Sequence, residues 1–268
     1  MKTITNKEEL LEAIKNDCLT LRNASEELQN DKEFVLAAVE KYGFNLEYAS
    51  ERLRDDKEVV LQAVKNDVWN LQYASEELKD DKEVILEAVK NGGIALAFAS
   101  ERLKNDREFV LEVIENDCYA LAYTSKRLRD NEEVVLTAVE KYGFNLEYAS
   151  KRLRDNEEVV LTAVKNNGYA LAFASERLKN DKDFVLQAVK TDSWALELAS
   201  DELKNNKEIV LEAVKQNGWV LGYASERLQN DKEVVLEAVK ESGRALQFAS
   251  KRLRDDKDFI KEMEKIAK

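Results

Sequence analysis

One dipeptide, Ala-Ser, returns every 25 residues along the chain, and this spacing limits the possible folds more than any other feature does. It occurs at 24–25, 49–50, 74–75, 99–100, 149–150, 174–175, 199–200, 224–225 and 249–250, and Thr124-Ser125 fills the remaining place. No residue is inserted or deleted between these copies. A fixed period of this size is typical of stacked structural units that bury their apolar surfaces against their neighbours. The spacing therefore predicts a repeat protein.

The residue types of the repeat favour helices. The 268 residues contain no Pro and eight Gly, and residues with high helix propensity (Ala, Leu, Glu, Lys, Arg and Gln) dominate. A chain without Pro lacks a residue that breaks helices and marks loops. We therefore expect an all-α protein whose helices are joined by short turns.

The unit from Asp55 to Lys79 contains two helical patterns. We predict a first helix from about Lys57 to Lys65, with a wide apolar arc, and a second helix from about Trp69 to Leu78. The end of the second helix is open, since Ser75 either lies within it or caps a following turn. An Asp or Asn followed three residues later by Glu predicts a capping box at the start of each first helix. These pairs are Asn30/Glu33, Asp55/Glu58, Asp80/Glu83 and Asn105/Glu108, preceded by Thr5/Glu8.

Glycine often ends the turn between the two predicted helices. We interpret it as the residue that takes up the left-handed backbone with which helices commonly close. It occupies this place at Gly43, Gly93, Gly143, Gly168, Gly218 and Gly243.

The predicted fold is an open α-solenoid of about ten 25-residue helix-turn-helix repeats with polar capping ends. We expect one domain over residues 1–268, with an N-terminal capping repeat at 1–29, nine regular repeats at 30–254 and a C-terminal capping helix at 255–268. Asn23 and Leu19 replace aromatic residues of later copies, and Lys261 replaces a Leu. Polar ends disfavour end-to-end association, so a monomer is expected.

The pattern in residues 155–178 resembles the repeat family called "domain of unknown function 4116". It combines Asp-Asn-Glu-Glu-Val-Val-Leu, Ala-Val, Gly, Ala-Leu, an aromatic residue, Ala-Ser and Leu, and the likeness covers essentially the full chain. The resemblance implies tandem helical repeats and supplies no catalytic residues. A consensus-derived or engineered array is an alternative origin for so regular a chain.

Enzymatic chemistry finds little support in these residues. The chain contains no His, so the serine series from Ser25 to Ser250 has no imidazole base, and bonding to the local backbone is the better interpretation. Cys18 and Cys118 share one repeat position four repeats apart, too far for a disulfide. Acid pairs such as Asp55-Asp56 lack the pattern of a calcium loop. We predict no catalytic residue, no metal site and no cofactor.

Charge makes some partners unfavourable. The formal net charge is −12, which repels nucleic acid and anionic lipid. No run is long and apolar enough for a membrane span, and the start lacks the pattern of a signal peptide, so a cytoplasmic protein is expected. A basic pair does recur in many repeats, and solvated ion pairs between repeats are the favoured interpretation. The pairs are Arg52/Arg54, Arg102/Lys104, Arg127/Arg129, Arg152/Arg154, Arg177/Lys179 and Arg252/Arg254.

Two aromatic series follow the repeat. The nearly constant series is assigned to the core and comprises Tyr48, Tyr73, Phe98, Tyr123, Tyr148, Phe173, Tyr223 and Phe248. The other varies and accepts Arg244, so we expect it to lie partly at the surface. Its candidate partner-binding residues are Trp69, Tyr119, Tyr169, Trp194 and Trp219, together with the small residues Ala97, Ala122, Ala172 and Gly222 of the second-helix outer face.

The function predicted from these features is a non-catalytic scaffold that binds a protein or peptide, with the partner unidentified. Two alternatives stay open. One is a structural or engineered array without a specific ligand. The other is a solenoid that binds single-stranded RNA through its basic pairs and aromatic rings.

Overall fold

The computed structural model describes residues 21–91 and 94–266, with side chains described as far as Met263. Each repeat in these ranges consists of three segments, which we name the long helix, the middle segment and the short helix. In the repeat of Lys57–Asn66, the middle segment is Val68–Tyr73 and the short helix is Glu76–Lys79. The predicted all-α repeat is confirmed.

The segments have the following bounds. The long helices are Lys32–Lys41, Lys57–Asn66, Lys82–Asn91, Arg107–Asn116, Glu132–Lys141, Glu157–Asn166, Lys182–Thr191, Lys207–Gln216, Lys232–Glu241 and Lys257–Ile266. The middle segments are 3₁₀ helices at Leu21–Asn23, Gly43–Tyr48, Val68–Tyr73, Ala120–Tyr123, Gly143–Tyr148, Gly168–Phe173, Ser193–Leu198, Gly218–Tyr223 and Gly243–Phe248, and an α-helical turn at Ala95–Phe98. The short helices are α-helical at Glu26–Gln29, Glu51–Arg54, Glu76–Lys79, Glu101–Lys104, Glu176–Asn180, Asp201–Lys204, Glu226–Gln229 and Lys251–Arg254, and 3₁₀ at Leu128–Asp130 and Leu153–Asp155.

The second predicted helix is in fact two segments, and the open question about its end is thereby settled. It ends at Tyr73, and Ser75 then caps the short helix, because the Ser75 Oγ accepts a hydrogen bond from the Leu78 amide at 3.1 Å. A serine hydroxyl competes well for backbone amides at a helix start. The repeat therefore has a third segment that periodicity alone does not separate.

The capping-box prediction was wrong by one residue. The cap of the long helix is the second member of each acid or amide pair: Asp56 Oδ1 accepts from the Glu58 and Val59 amides at 3.1 and 3.3 Å. Asp106 and Asn156 do the same for Phe109 and Val159. The first member, such as Asp55, instead ends the preceding short helix. Its side chain is left available for the next repeat.

Each repeat serine joins its copy to the preceding one. The Ser50 amide donates to the Gln29 carbonyl oxygen at 2.9 Å, and the equivalent bond recurs at all of the repeat serines from Ser75 to Ser250. The Ser50 hydroxyl also donates to Asn30 Oδ1 at 2.8 Å while its oxygen caps the following helix. The cap is the local backbone bonding that the sequence interpretation expected, whereas the two bonds to the preceding repeat were not predicted.

A second set of contacts joins consecutive long helices. Lys57 Nζ lies 2.9 Å from Asp81 and 2.6 Å from Glu83, the cap and second residue of the next long helix. Lys207 makes the same pair of contacts with Asp231 and Glu233. Hydrogen bonding to these acids raises the pKa of both lysines. The pairs are largely solvated, so their contribution lies in register more than in stability.

The turn glycines do not adopt the predicted left-handed backbone. No described glycine has a positive φ. A Cβ built on Gly218 would lie 2.2 Å from the Ala238 carbonyl oxygen of the next long helix, and one on Gly143 would lie 2.5 Å from the Ala163 carbonyl oxygen. Glycine is therefore selected by close approach between repeats. At Gly243 no atom lies within 4 Å of such a Cβ.

The core runs through the long helices and includes leucines of the middle segments and one leucine of each short helix. In Lys57–Asn66 the buried residues are Val59, Val60, Ala63 and Val64 of the predicted apolar arc, whereas Leu61 of that arc is only partly buried. Leu78 of the short helix is also buried. Burial of such side chains is the main favourable contribution to folding.

The chain divides into two compact units, residues 1–128 and 129–268. Within each unit consecutive long helices pack together, as do consecutive middle segments. The capping boundaries at 1–29 and 255–268, and the superhelical path, stay predictions. Thr5/Glu8, Cys18, Leu19 and Gly93 lie outside the described residues.

Candidate binding surface

The variable aromatic series lies partly at the surface, as predicted. Trp69, Tyr119 and Trp219 are 52%, 49% and 39% exposed. Tyr169 and Trp194 are half-buried. Large exposed aromatic side chains are favoured at contact sites.

A polar residue two positions earlier holds each of these candidate aromatics in place. Its side chain accepts a hydrogen bond from the aromatic residue's own amide, which fixes the start of the middle segment. The bonds are Asp67 to Trp69 (3.0 Å), Asp117 to Tyr119 (2.8 Å), Asn167 to Tyr169 (2.9 Å), Asp192 to Trp194 (3.0 Å) and Asn217 to Trp219 (3.0 Å). Asp or Asn two residues before an aromatic was the sequence signal that could have identified this arrangement.

The nearly constant aromatic series does not lie in the core, and that assignment was wrong. Its described members are only partly buried, because they pack against the variable series rather than beneath it. Four of these rings meet the variable ring of the preceding repeat: Trp69 with Phe98 at 5.5 Å between centroids, Phe144 with Phe173 at 5.9 Å, Trp194 with Tyr223 at 6.1 Å and Trp219 with Phe248 at 5.6 Å. Within each compact unit these edge-to-face contacts join rings of the two series, and we call the surface that the rings form on the middle segments the aromatic surface.

The predicted small residues lie beside this surface. Ala172 is exposed, while Ala97, Ala122 and Gly222 are half-buried. A Cβ on Gly222 would lie 3.0 Å from the Phe248 ring, so glycine leaves room for that ring to pack closely. The structure thus brings Gly222, Trp219 and Phe248 together.

One cluster of the surface includes a carboxylate. The Tyr169 and Trp194 rings stack at 5.7 Å, and Glu197 hydrogen bonds with the Tyr223 hydroxyl. Burial, and then Glu197, raise the pKa of Tyr223 to about 12. The phenol is therefore neutral at physiological pH and acts only as a hydrogen-bonding group.

The first member of each basic pair contacts the preceding repeat, as does Arg227, but only three of the six pairs make the ion pair between repeats that the favoured interpretation expected. Arg102, Arg152 and Arg177 bind the carboxylates of Asp80, Asp130 and Asp155. Arg52, Arg127, Arg227 and Arg252 bind the side-chain oxygens of Asn30, Asn105, Asn205 and Asn230 instead. Hydrogen bonds from the Ser100 hydroxyl and from Arg102 hold the pKa of Asp80 below its ordinary value. We call this serine, arginine and Asp or Asn arrangement the clamp.

Open grooves lie between consecutive short helices, on the side where the nearly constant aromatic residue is exposed. One groove, of about 530 Å³, contains Tyr73, and another, of about 700 Å³, contains Phe248. Their lining residues occupy the same repeat positions, one for one. They differ only at Arg54/Gln229, Asp55/Asn230, Tyr73/Phe248, Glu76/Lys251, Glu77/Arg252 and Lys79/Arg254.

Other site classes find no support in the described part of the chain. It holds no group of three or more Cys, Asp or Glu side chains arranged to bind a metal ion. None of its helices combines the length and the apolar character needed to cross a bilayer. Cys118 is exposed.

The three-segment units, repeated with the same contacts between copies, define the protein as a tandem helical repeat protein. The family model described as "Domain of unknown function (DUF4116)" matches residues 6–54, 31–79, 56–104, 81–129, 106–154, 131–179, 156–204, 181–229 and 231–266. The chain belongs to this family. A comparison with curated proteins gave no significant match, and neither did a comparison with solved structures.

Proposed function

We propose that this protein is a non-catalytic scaffold that binds a protein or peptide along the aromatic surface of its middle segments. The observation that carries the proposal is the exposure of Trp69, Tyr119 and Trp219 in one repeat position. Packing does not require large rings there, since Arg244 occupies the same position in another copy and is exposed. Exposed Trp and Tyr supply contact area at little entropic cost.

The grooves add a second element to this surface. Each lies next to an aromatic ring and offers polar side chains at its rim, which is the arrangement that binds a peptide side chain. A repeat scaffold can present several such grooves along one extended segment.

RNA binding is the less favoured function. The first arginine of each basic pair is already engaged in the clamp, so it offers fewer donors to phosphate than the sequence suggested. The net charge of −12 adds a general repulsion.

Selection from a random peptide display library against the immobilised protein tests the proposal. We expect enriched peptides whose affinity falls about tenfold or more in Trp69→Ala or Trp219→Ala. Lys65→Ala and Lys215→Ala, exposed positions on the long helices, serve as controls and should leave binding unchanged.

Two results would contradict the proposal. One is the absence of any enriched peptide with a folded protein, which favours a structural array. The other is salt-sensitive binding of single-stranded RNA oligomers that exceeds the binding of every selected peptide.

A further inference from the structure

We propose that the groove at Phe248 binds acidic peptide segments in which an apolar side chain lies between carboxylates. This inference rests on the proposed function and names the chemistry of one partner class.

The rim of this groove is strongly basic in an otherwise acidic protein. Lys251, Arg252 and Arg254 line it, and Glu226 is its one carboxylate. In the described part of the chain none of the three cations lies within 4.0 Å of a carboxylate. Arg252 is held in the clamp, donating to Asn230 Oδ1 through Nε at 2.8 Å and to the Asn230 carbonyl oxygen through Nη2 at 3.0 Å, so Lys251 and Arg254 are the cations that the rim offers to a ligand.

The apolar lining of the groove, which we call its floor, consists of Phe248 and Ala249, and the other lining residues are polar or charged. The Phe248 ring lies next to Trp219, which is 39% exposed, with the two rings in an edge-to-face arrangement. Gly222 lets the Phe248 ring pack closely against the backbone of the preceding repeat, because a Cβ there would lie 3.0 Å from the ring. An apolar side chain of a peptide can rest on this floor while flanking carboxylates reach the basic rim.

The equivalent groove at Tyr73 shows that the basic rim is a property of its residues and not of the backbone. It has the same lining positions, but Glu51, Asp55, Glu76 and Glu77 stand against Arg54 and Lys79. Lys79 is also paired with Glu76 at 2.9 Å. Acidic segments should therefore avoid the groove at Tyr73, which gives the molecule an internal comparison.

Charge complementarity of this kind acts mainly on specificity and on the rate of association. A peptide is favoured over RNA as the occupant because Glu226 lines the groove and the protein as a whole is acidic, and both oppose a phosphate on every nucleotide. A peptide can instead place its few carboxylates only where the cations are.

The test uses the full chain with Trp69→Phe and Trp194→Phe, which leaves Trp219 as the single tryptophan beside the groove. The probe is the peptide Glu-Glu-Phe-Leu-Glu-Glu, and Lys-Lys-Phe-Leu-Lys-Lys is its charge-reversed control. We expect saturable change in Trp219 emission with the acidic peptide only, weakened by added salt. The double variant Lys251→Glu with Arg254→Glu should weaken binding of the acidic peptide about tenfold or more. The control variant, Lys257→Glu with Lys261→Glu, makes the same change in net charge at exposed positions outside the groove. It should leave binding of the acidic peptide unchanged.

Several outcomes overturn the proposal. Equal binding of both peptides, or binding insensitive to Lys251→Glu with Arg254→Glu, removes the charge assignment. Tighter binding of a uridine oligomer assigns the groove to RNA. Dimerisation by light scattering that Lys251→Glu with Arg254→Glu abolishes assigns it to a second copy of the chain.

The outcome of the library selection separates this failure from failure of the proposed function. If selected peptides bind through Trp69 or Trp219 but are not acidic, the scaffold function stands and only the present assignment fails. If no peptide binds at all, both fail.

Discussion

The grooves at Tyr73 and Phe248 have the same backbone and opposite rims. In both, a short helix capped by serine stands next to a half-exposed aromatic ring, and the serine amide bonds to the preceding repeat at 2.9 Å in one and 2.8 Å in the other. The rims differ because Glu76 and Glu77 of one are Lys251 and Arg252 of the other. The repeat thus separates residues that hold copies together from residues that determine what the surface can bind.

The residues that are constant between copies have simple structural roles. Serine caps the short helix and donates to the Asp or Asn of the preceding copy, and the leucine three residues later is buried. Substitution there removes contacts between repeats, on which a repeat protein depends for its stability. Rim residues make few such contacts and are free to vary.

The substitution with the largest expected effect tests whether the close approach of consecutive repeats at glycine stabilises the second unit. Gly218→Ala places a Cβ 2.2 Å from the Ala238 carbonyl oxygen. We expect it to lower the free energy of unfolding by about 2 kcal/mol, as overpacking does. Gly243→Ala, at the same repeat position with no atom within 4 Å, is the control and should be neutral or slightly stabilising. Urea unfolding followed by circular dichroism measures both, and equal costs would contradict the role given to glycine.

A transfer of rim residues tests the comparison directly. Asp55→Asn, Glu76→Lys and Glu77→Arg together give the groove at Tyr73 the residues that the groove at Phe248 has at these three positions, while Arg54 and Lys79 remain as cations. We expect a second binding site for the acidic peptide and about tenfold tighter binding at the groove at Tyr73. Isothermal titration calorimetry counts the sites, and an unchanged stoichiometry would show that the rim alone does not decide specificity.

Removal of one clamp should have a smaller effect. Arg227 donates to Asn205 Oδ1 at 2.8 Å and to its carbonyl oxygen at 2.6 Å. Arg227→Ala should cost about 1 kcal/mol, the usual net contribution of such bonds. Glu202→Ala is the matched control, because Glu202 has the same repeat position and is exposed. A cost in Glu202→Ala equal to that in Arg227→Ala would contradict the clamp.

The smallest effect concerns a buried acid in the first unit. Burial raises the pKa of Asp117 above its ordinary value. The folded state therefore holds this proton more tightly than the unfolded state, so the stability associated with the neutral form is complete below the unfolded pKa and declines as pH rises through the folded pKa. Asp117→Asn should raise stability by about 0.5 kcal/mol at pH 7 and by less at pH 3. Asn167 and Asn217 at the same position keep the amide bond that Asp117 makes.

Thermal unfolding at the two pH values measures this difference. The exposed acids of the clamp behave in the opposite way. Their pKa values are lowered, as for Asp80, so the stability that they contribute is present above the unfolded pKa and is lost as pH falls. A stabilisation by Asp117→Asn that grows toward acid pH would contradict the assignment.

Sequence reasoning predicted the repeat, the long helix and the surface position of Trp69 and Trp219, because strict periodicity repeats each observation in many copies. It did not separate the middle segment from the short helix, since one apolar stripe through Leu71, Ala74 and Leu78 continues across both. Comparison between copies also led to the wrong core assignment of the nearly constant aromatic series. Phe248, a member of that series, packs on Trp219 and is not buried in the core. Constancy reports contact with a neighbour, and only the structure distinguishes a surface contact from a core one.

The prediction of a left-handed backbone at the turn glycines was wrong for a related reason. A glycine at a helix end fits a left-handed cap and a close approach equally well, and the second depends on the position of the next repeat. The basic residues Lys251 and Arg254 of the rim can be read directly from the sequence. Its position next to Phe248 could not be predicted, because the sequence analysis treated the short helix as part of the second predicted helix.

The exposure of the aromatic series is the central claim, and acrylamide quenching of single-tryptophan variants tests it most directly. Pairwise Trp→Phe changes at Trp69, Trp194 and Trp219 leave one reporter each. We predict red-shifted, readily quenched emission for Trp69 and Trp219, and more protected emission for Trp194, which stacks on Tyr169 and contacts Tyr223. Blue-shifted and protected emission from Trp69 and Trp219 would place the series in the core and contradict the account.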